Sequence, residues 1–210
     1  AGVKVGVIGV TTEATLGTTI AANVADLRML PLAETITRHA RELRAEGAQV
    51  VVVAAHAGGE CESFEDPDDL SSCDNESEIF QVAEALPASL VDVIVAGHTH
   101  KAIAHRVNGV AIISSWALGS HFGRVDLELD EGNVVGQRIY PPEPLCEAPP
   151  CGYGDVDVQP SAQLQALVQP ALDAAAERLA ERLGPTLTAS FERNYDGESS
   201  AGNLLASAVL

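Results

Sequence analysis

Two β-branched runs in this chain each end in glycine and histidine. Gln49–Ala55 runs into His56-Ala57-Gly58-Gly59, and Val91–Ala96 runs into Gly97-His98-Thr99-His100. A short, continuous apolar run of this kind is the signature of a strand buried on both faces. In open α/β sheets, ligands gather outside the carboxyl ends of such strands. A lone histidine at a strand end is most simply a hydrogen-bonded loop residue. Here, however, His98 and His100 are two apart, so on a continuing strand they would share a face. Two imidazoles on one face, beside a third on a neighbouring strand, are costly to bury without a partner. The pattern predicts metal binding by His56, His98 and His100.

The surrounding pattern is β-α. Val3 to Val10 reads as a strand, and Leu32, Ile36, Ala40 and Leu43 make one helical face that Gly47 ends. After the strand to His56 comes an acidic loop. Asn75 with Glu78 then forms a capping pair for a helix burying Ile79, Val82, Ala83 and Leu86, ended by Pro87. Strand, helix, strand, helix, strand implies a largely parallel sheet with crossover helices, an α/β class with an α+β portion behind it.

Beyond His100 the pattern turns antiparallel. Ala104–Val107 and Val110–Ser114 flank Asn108-Gly109, a hairpin signal. Val125, Leu127 and Leu129 alternate with acidic residues as a half-exposed strand, which Glu131-Gly132-Asn133 turns into Val134–Tyr140. The segment 141–160 is rich in Pro, Gly and acidic residues and reads as a linker. Ser161 caps a long helix whose stripe is Leu164, Val168, Leu172, Ala175, Leu179 and Leu183. Pro170 should kink or break that helix, and Gly184-Pro185 should stop it. The stripe serves either a connector between domains or ordinary packing on the nearest core.

Four cysteines fall in two local pairs, Cys61 with Cys73 and Cys146 with Cys151, in turn-rich segments. An even count so placed predicts two short-range disulfides and an oxidising compartment, hence an extracytoplasmic protein. The rival is a thiolate metal site, but neither pair is Cys-x-x-Cys and neither lies on a histidine-bearing strand. Twelve basic against thirty acidic residues give a formal charge of −18, which argues against a nucleic-acid polymer as partner. No apolar run reaches transmembrane length. With 46% hydrophobic but only 4% aromatic residues, the core must be built from Val, Leu, Ile and Ala.

Val93-Ile94-Val95-Ala96-Gly97-His98-Thr99-His100 resembles the Gly-His-Thr-His motif of the calcineurin-like metallophosphoesterases, and Ala55-His56-Ala57-Gly58 resembles their preceding His-x-Gly motif. Val3–Thr12 is similar to the stretch that follows the Asn-His motif in the 5'-nucleotidase branch. Glu198–Ala206 resembles the start of that branch's C-terminal, substrate-binding domain. The resemblance implies the C-terminal half of an αββα sandwich, with the strands beyond His100 in its second sheet. A linker helix and the start of a second domain follow. The corresponding domains are 1–140, a partial metallophosphoesterase domain; 141–184, linker and connecting helix; and 185–210, the beginning of the C-terminal domain.

By the same resemblance, His56 and His98 bind one divalent ion and His100 another, of zinc, manganese or iron type. The pair would stand about 3.5–4 Å apart and act on a nucleotide or other phosphoester. The family's Asp-x-His and Asn-His motifs, which carry the remaining ligands and the leaving-group histidine, do not occur in these 210 residues. The implied reading is half of a two-metal site that needs an N-terminal half to complete it and is inactive alone. The alternative is a non-catalytic metal-binding or interaction module. Of the other histidines, His39 reads as a surface or boundary residue, His105 as an exposed edge residue, and His121 as part of a glycine-bearing loop that could fold back towards the strand ends. Asn203 matches a position that caps or braces the C-terminal signature.

Overall fold

The computed structural model describes residues 2–146, 150–182, 184, 189–194 and 197–209. The chain divides into two units, Ala1–Ala148 and Pro149–Leu210. In the first, the elements run β1 (Val5–Thr11), α1 (Thr15–Thr18), a 3-10 turn (Ala21–Asn23), α2 (Leu32–Ala45), β2 (Val50–His56), α3 (Glu78–Ala85), β3 (Val93–Val95), β4 (Ala102–Val107), β5 (Val110–Ser115), β6 (His121–Asp130) and β7 (Asn133–Pro144). In the second they are β8 (Cys151–Tyr153), β9 (Val156–Val158), α4 (Ala162–Ala180) and α5 (Ser200–Val209).

Five strands form one sheet in the order β1-β2-β3-β5-β4. β1, β2, β3 and β5 are parallel neighbours, and β4 returns antiparallel on β5. The helices do what their periodicity predicts. Leu32, Ile36 and Ala40 lie on one face of α2 and are all buried. Gly47 sits at φ 90° just past the end, with Gly47 N–H donating to Arg44 O and Ala48 N–H to Leu43 O. That is a Schellman termination, which needs a residue free to adopt the left-handed region. α3 buries Ile79, Phe80, Val82 and Ala83. Its start differs from expectation: Ser77, not Asn75, is the N-cap residue, and no side chain caps it. Glu78 Oε1 instead accepts from the backbone N–H of Glu13, so its carboxylate ties α3 to the turn after β1.

Beneath both helices lies the main core, containing Ile8, Val51, Val53, Ile94, Ile103 and Ile112. A second cluster joins Val93, Ala104 and Ala111 on the other sheet face to Ile139, with Val125 and Leu127 packed against it. Those last three belong to the antiparallel ribbon β6–β7, which covers that part of the sheet. The hairpin at Asn108-Gly109 forms as predicted, both residues at positive φ. It does not lie in a second sheet, however: β5 pairs with β3 and extends the sheet that carries the histidine strands. Asn108 Nδ2 also donates to Leu86 O, joining the turn to the end of α3. At the opposite ends of the strands, Asp92 Oδ2 accepts from Arg44 Nη2 and from Val51 N–H, both at 2.7 Å.

Burial on both faces of the histidine strands is not observed. Val7 is 65% and Val95 44% exposed, and Ala54 is exposed between them. Their chain neighbours Val53 and Ile94, which alternate to the helical face, are completely buried. The apolar runs are therefore covered on the helical face and open along β1, β2 and the end of β3 on the other.

Three further expectations change. His105 is 1% exposed and not an edge residue in solvent, because the loop from Cys61 to Cys73 lies over β4. Cys61 N–H donates to Ala102 O and Arg106 N–H to Pro67 O, covering a strand edge that would otherwise be unpaired. The segment 141–160 is not a plain linker: β7 runs to Pro144, and β8 and β9 form a hairpin. Pro170 lies inside α4 without interrupting it. α4 is capped by Ser161 Oγ, which accepts from Leu164 N–H, and none of its residues is buried. Leu183 and Pro185 lie outside the described residues. In α5, Asn203 Nδ2 donates to Glu198 Oε1, bracing the helix start as anticipated.

Cys61 and Cys73 form a disulfide. Cys146 and Cys151 are disulfide-bonded as well, and no cysteine among the described residues is free.

Candidate metal centre at the strand ends

His56 is the last residue of β2, and its register partner on β1 is Thr11. The chain then turns through Ala57 and Gly58 and meets the loop leaving β3. Gly97 N–H donates to Ala57 O, and Thr99 Oγ1 donates to Gly59 O at 2.8 Å. These bonds lock one histidine loop onto the other. Gly58 is required here by close approach: a Cβ at this position would lie 2.1 Å from Gly97 O and 2.6 Å from Thr99 Oγ1. Thr12, buried, donates its N–H to His56 O and fixes the third strand end.

β3 stops at Val95, so His98 and His100 do not continue a strand and do not share a strand face. Both instead adopt positive φ, 74° and 57°. Left-handed backbone costs a non-glycine residue on the order of 1–3 kcal/mol, and such conformations cluster at sites that need a side chain aimed. The turn brings His98 Nδ1 to 3.1 Å from His56 Nε2, with the rings edge-to-face at 4.8 Å between centroids. His100 is exposed as well. Among the described residues, no set of three metal-ligating groups closes around His56, His98 and His100.

The geometry fits a cation at the first two. Both imidazoles are exposed, and nitrogens 3.1 Å apart can each bond one ion at about 2.0–2.1 Å. Next to His100 in sequence, Lys101 donates to the Glu60 carboxylate at 2.9 Å, and that hydrogen bond holds the lysine pKa above its usual value. An open concavity of about 520 Å³ runs from His56 down the uncovered sheet face, lined by Gly9, Val10, Thr11, Ala54, Ala55 and Val95.

The other histidines stand apart from this pair. His39 bonds Glu42 on α2 at 2.9 Å. His121 packs its ring 4.3 Å from that of Trp116 and bonds Ser120 Oγ. Cys61, Cys73 and His105 do bring three potential donor atoms within 4.8 Å of one another, a cluster that sequence spacing concealed because β4 and the loop meet only in the fold.

No protein-family model matches the chain. It is 28% identical over 219 residues to the cell wall protein Lmo0130 of Listeria monocytogenes, covering 99% of this chain and 27% of that protein. It is 25% identical over 212 residues to the endonuclease YhcR of Bacillus subtilis, covering 98% of this chain and 16% of the relative. The chain thus spans about a quarter or less of the curated relatives it matches. Among solved structures, a Staphylococcus aureus protein assigned as a 5'-nucleotidase superposes with a TM-score of 0.54 at 25% identity, over 80% of this chain and 31% of its own. The calcineurin-like phosphoesterase YfkN of Bacillus subtilis superposes with a TM-score of 0.60 at 19% identity, over 85% and 54%. The two histidine motifs thus stand at the ends of adjacent parallel strands, and the chain shares its fold with the calcineurin-like phosphoesterase and 5'-nucleotidase structures it resembles.

Proposed function

We propose that the protein is a metal-dependent phosphoester hydrolase acting on nucleotides, of the 5'-nucleotidase or 2',3'-cyclic-nucleotide phosphodiesterase type. The observation that carries this reading is the convergence of His56 Nε2 and His98 Nδ1 at the ends of β2 and β3. In the proposal these two hold one divalent ion of zinc, manganese or iron type, and His100 contributes to a second. Bound ions of this kind polarise a phosphoryl oxygen and make hydroxide available near neutral pH. The chain's own part is positional. Gly58 admits the loop from β3, Thr99 fastens it, and left-handed backbone at residues 98 and 100 aims the imidazoles.

Imidazoles alone leave two adjacent dications without compensating charge, so the reading includes acidic ligands from further polypeptide. The uncovered apolar face beside His56 is where such a segment would pack, completing the site and burying Val7 and Val95. The 210 residues alone are then inactive. An extracytoplasmic setting is supported by the disulfides and by the cell-wall relative. No helix among the described residues is long and apolar enough to cross a membrane. A second reading, hydrolysis of phosphodiesters within a nucleic acid, draws on the endonuclease relative, but a charge of −18 opposes a polyanionic partner.

Metal content and melting of the chain test the first reading. One ion per chain, raising the melting temperature and lost in His98→Ala, is the expected result. Phosphate release from AMP, or ring opening of 2',3'-cyclic AMP to 3'-AMP, should appear only in protein extended by its natural flanking sequence. Release from AMP by the 210 residues at an enzyme-like rate would overturn the half-site. Cleavage of single-stranded DNA by the extended protein, without nucleotide hydrolysis, would favour the second reading.

A further inference from the structure

Away from the strand-end histidines, one buried ionisable group has a use that the proposed hydrolysis does not call on. His105 projects from β4 on the helical face of the sheet, in line with Ile103 and Val107. Its Nε2 lies 3.0 Å from Ser63 O, which assigns the ring proton to that nitrogen, since a carbonyl oxygen can only accept. Nδ1 then carries a lone pair, and it is buried with no hydrogen-bond partner. Such an orphaned acceptor is costly inside a protein and marks a position that can take a proton or a cation. Against the ring lies the Cys61–Cys73 pair, with donor atoms of all three residues inside 4.8 Å.

We propose that reduction of Cys61–Cys73 turns this cluster into a two-cysteine, one-histidine site for a zinc-class divalent cation. A dithiol, or a phosphine with water, supplies two electrons. The S–S bond breaks, and each sulfur takes up one proton. Binding of the cation releases those two protons to solvent and forms two metal–sulfur bonds and one metal–nitrogen bond. Two thiolates neutralise the dication, so the charge is balanced within a mostly buried pocket. Thiolate with imidazole selects zinc-class ions over magnesium or calcium, which prefer oxygen. The backbone carbonyl on the far ring nitrogen is the orientation that metal-bound histidines use.

The fold holds the donors in place when the covalent bond opens. Cys61 and Cys73 face each other as an antiparallel bridge. Glu62 N–H donates to Ser72 O and Asp74 N–H to Glu60 O on either side of them. Donors bonded at about 2.3 Å for sulfur and 2.0–2.1 Å for nitrogen sit within about 4 Å of one another, so the sulfurs have to part and the ring nitrogen has to close to that distance from within 4.8 Å.

The test is an anaerobic Co²⁺ titration of the chain carrying His98→Ala, which disables the strand-end pair. It is run before and after reduction with a phosphine, with near-ultraviolet circular dichroism to report folding. Sulfur-to-cobalt charge-transfer absorption at one Co²⁺ per reduced chain, absent before reduction, is expected. Zn²⁺ should displace the Co²⁺. His105→Gln, which keeps both thiols, should weaken Co²⁺ binding by about tenfold or more. The double variant Cys61→Ser, Cys73→Ser should abolish the absorption. A reduced, folded chain without that absorption would overturn the site, as would undiminished Co²⁺ affinity in His105→Gln. Loss of the fold on reduction, unrescued by excess Co²⁺, would overturn it as well.

Discussion

On one face of the five-stranded sheet, Ile8, Val51, Val53, Ile94 and Ile112 disappear beneath α2 and α3; on the other, Val5, Val7 and Val95 stand in solvent. The residues alternate along the same strands and share the same chemistry, so composition does not separate the two faces. What separates them is the covering layer. The row Gly9, Ala54, Val95, Ile113, Ala104 crosses all five strands, and only its last two members lie in the part packed by the β6–β7 ribbon. His56 ends β2 at the uncovered side. The candidate site thus lies where apolar surface asks for a partner, consistent with a site shared with another segment.

The sharpest way to break this comparison is paired truncation. Ile94→Ala on the covered face should destabilise by about 2–5 kcal/mol, whereas Val7→Ser on the open face should stay within about 0.5 kcal/mol. Urea denaturation of both variants measures this. A comparable loss at Val7 would mean that the face is covered in solution. The two sheet edges offer a second contrast, since β4 is overlaid by a disulfide-closed loop and β1 is not. Cys61→Ser with Cys73→Ser should lower stability by about 3 kcal/mol on the chain-entropy account. The extra loss should be concentrated in amide exchange of β4, with β1 little changed.

At the junction of the two histidine loops, Gly58→Ala forces Gly97 and Thr99 apart. A loss of about 1–3 kcal/mol is expected, together with weaker metal binding, read by melting with and without Zn²⁺. The smallest effect concerns the covering ribbon. The hydrogen bond from the Arg124 guanidinium holds the Asp126 pKa below the usual carboxylate value; desolvation acts the other way, and the Tyr140 hydroxyl adds a smaller downward pull. A carboxylate depressed in the folded state stabilises above its unfolded pKa, and that contribution is lost as pH falls through the folded value. Asp126→Asn should therefore differ from the parent near neutral pH in urea midpoints and converge with it as pH falls through the folded carboxylate value.

Much of this fold could be read from spacing. α2 and its Gly47 stop, the strand into His56, the Asn108-Gly109 hairpin and the Ser161 cap are local patterns, and local physics governs them. The pairing of Cys61 with Cys73 was legible for the same reason, its partners being close in sequence. The failures are tertiary. His105 looked exposed because β4 looked like an edge, yet a loop that begins more than forty residues earlier covers it. Asn75 with Glu78 matched a capping pair, but Glu78 found a better acceptor role at Glu13 N–H, sixty-five residues away. The linker reading of 141–160 rested on composition, which cannot see that β6 offers β7 a partner as far as Pro144.

The site divides along the same line. By itself, the sequence determined the histidine types, their placement at strand ends and the glycines that let loops approach. Each follows from residue chemistry and from a two-residue or turn-length period. Only the tertiary structure decided that His56 and His98 meet at 3.1 Å while His100 stays apart, and that one face of the β-branched strands is covered and the other is not. Those outcomes depend on which segments, distant along the chain, come to lie against each strand, and an alternation pattern carries no information about the identity of its partner.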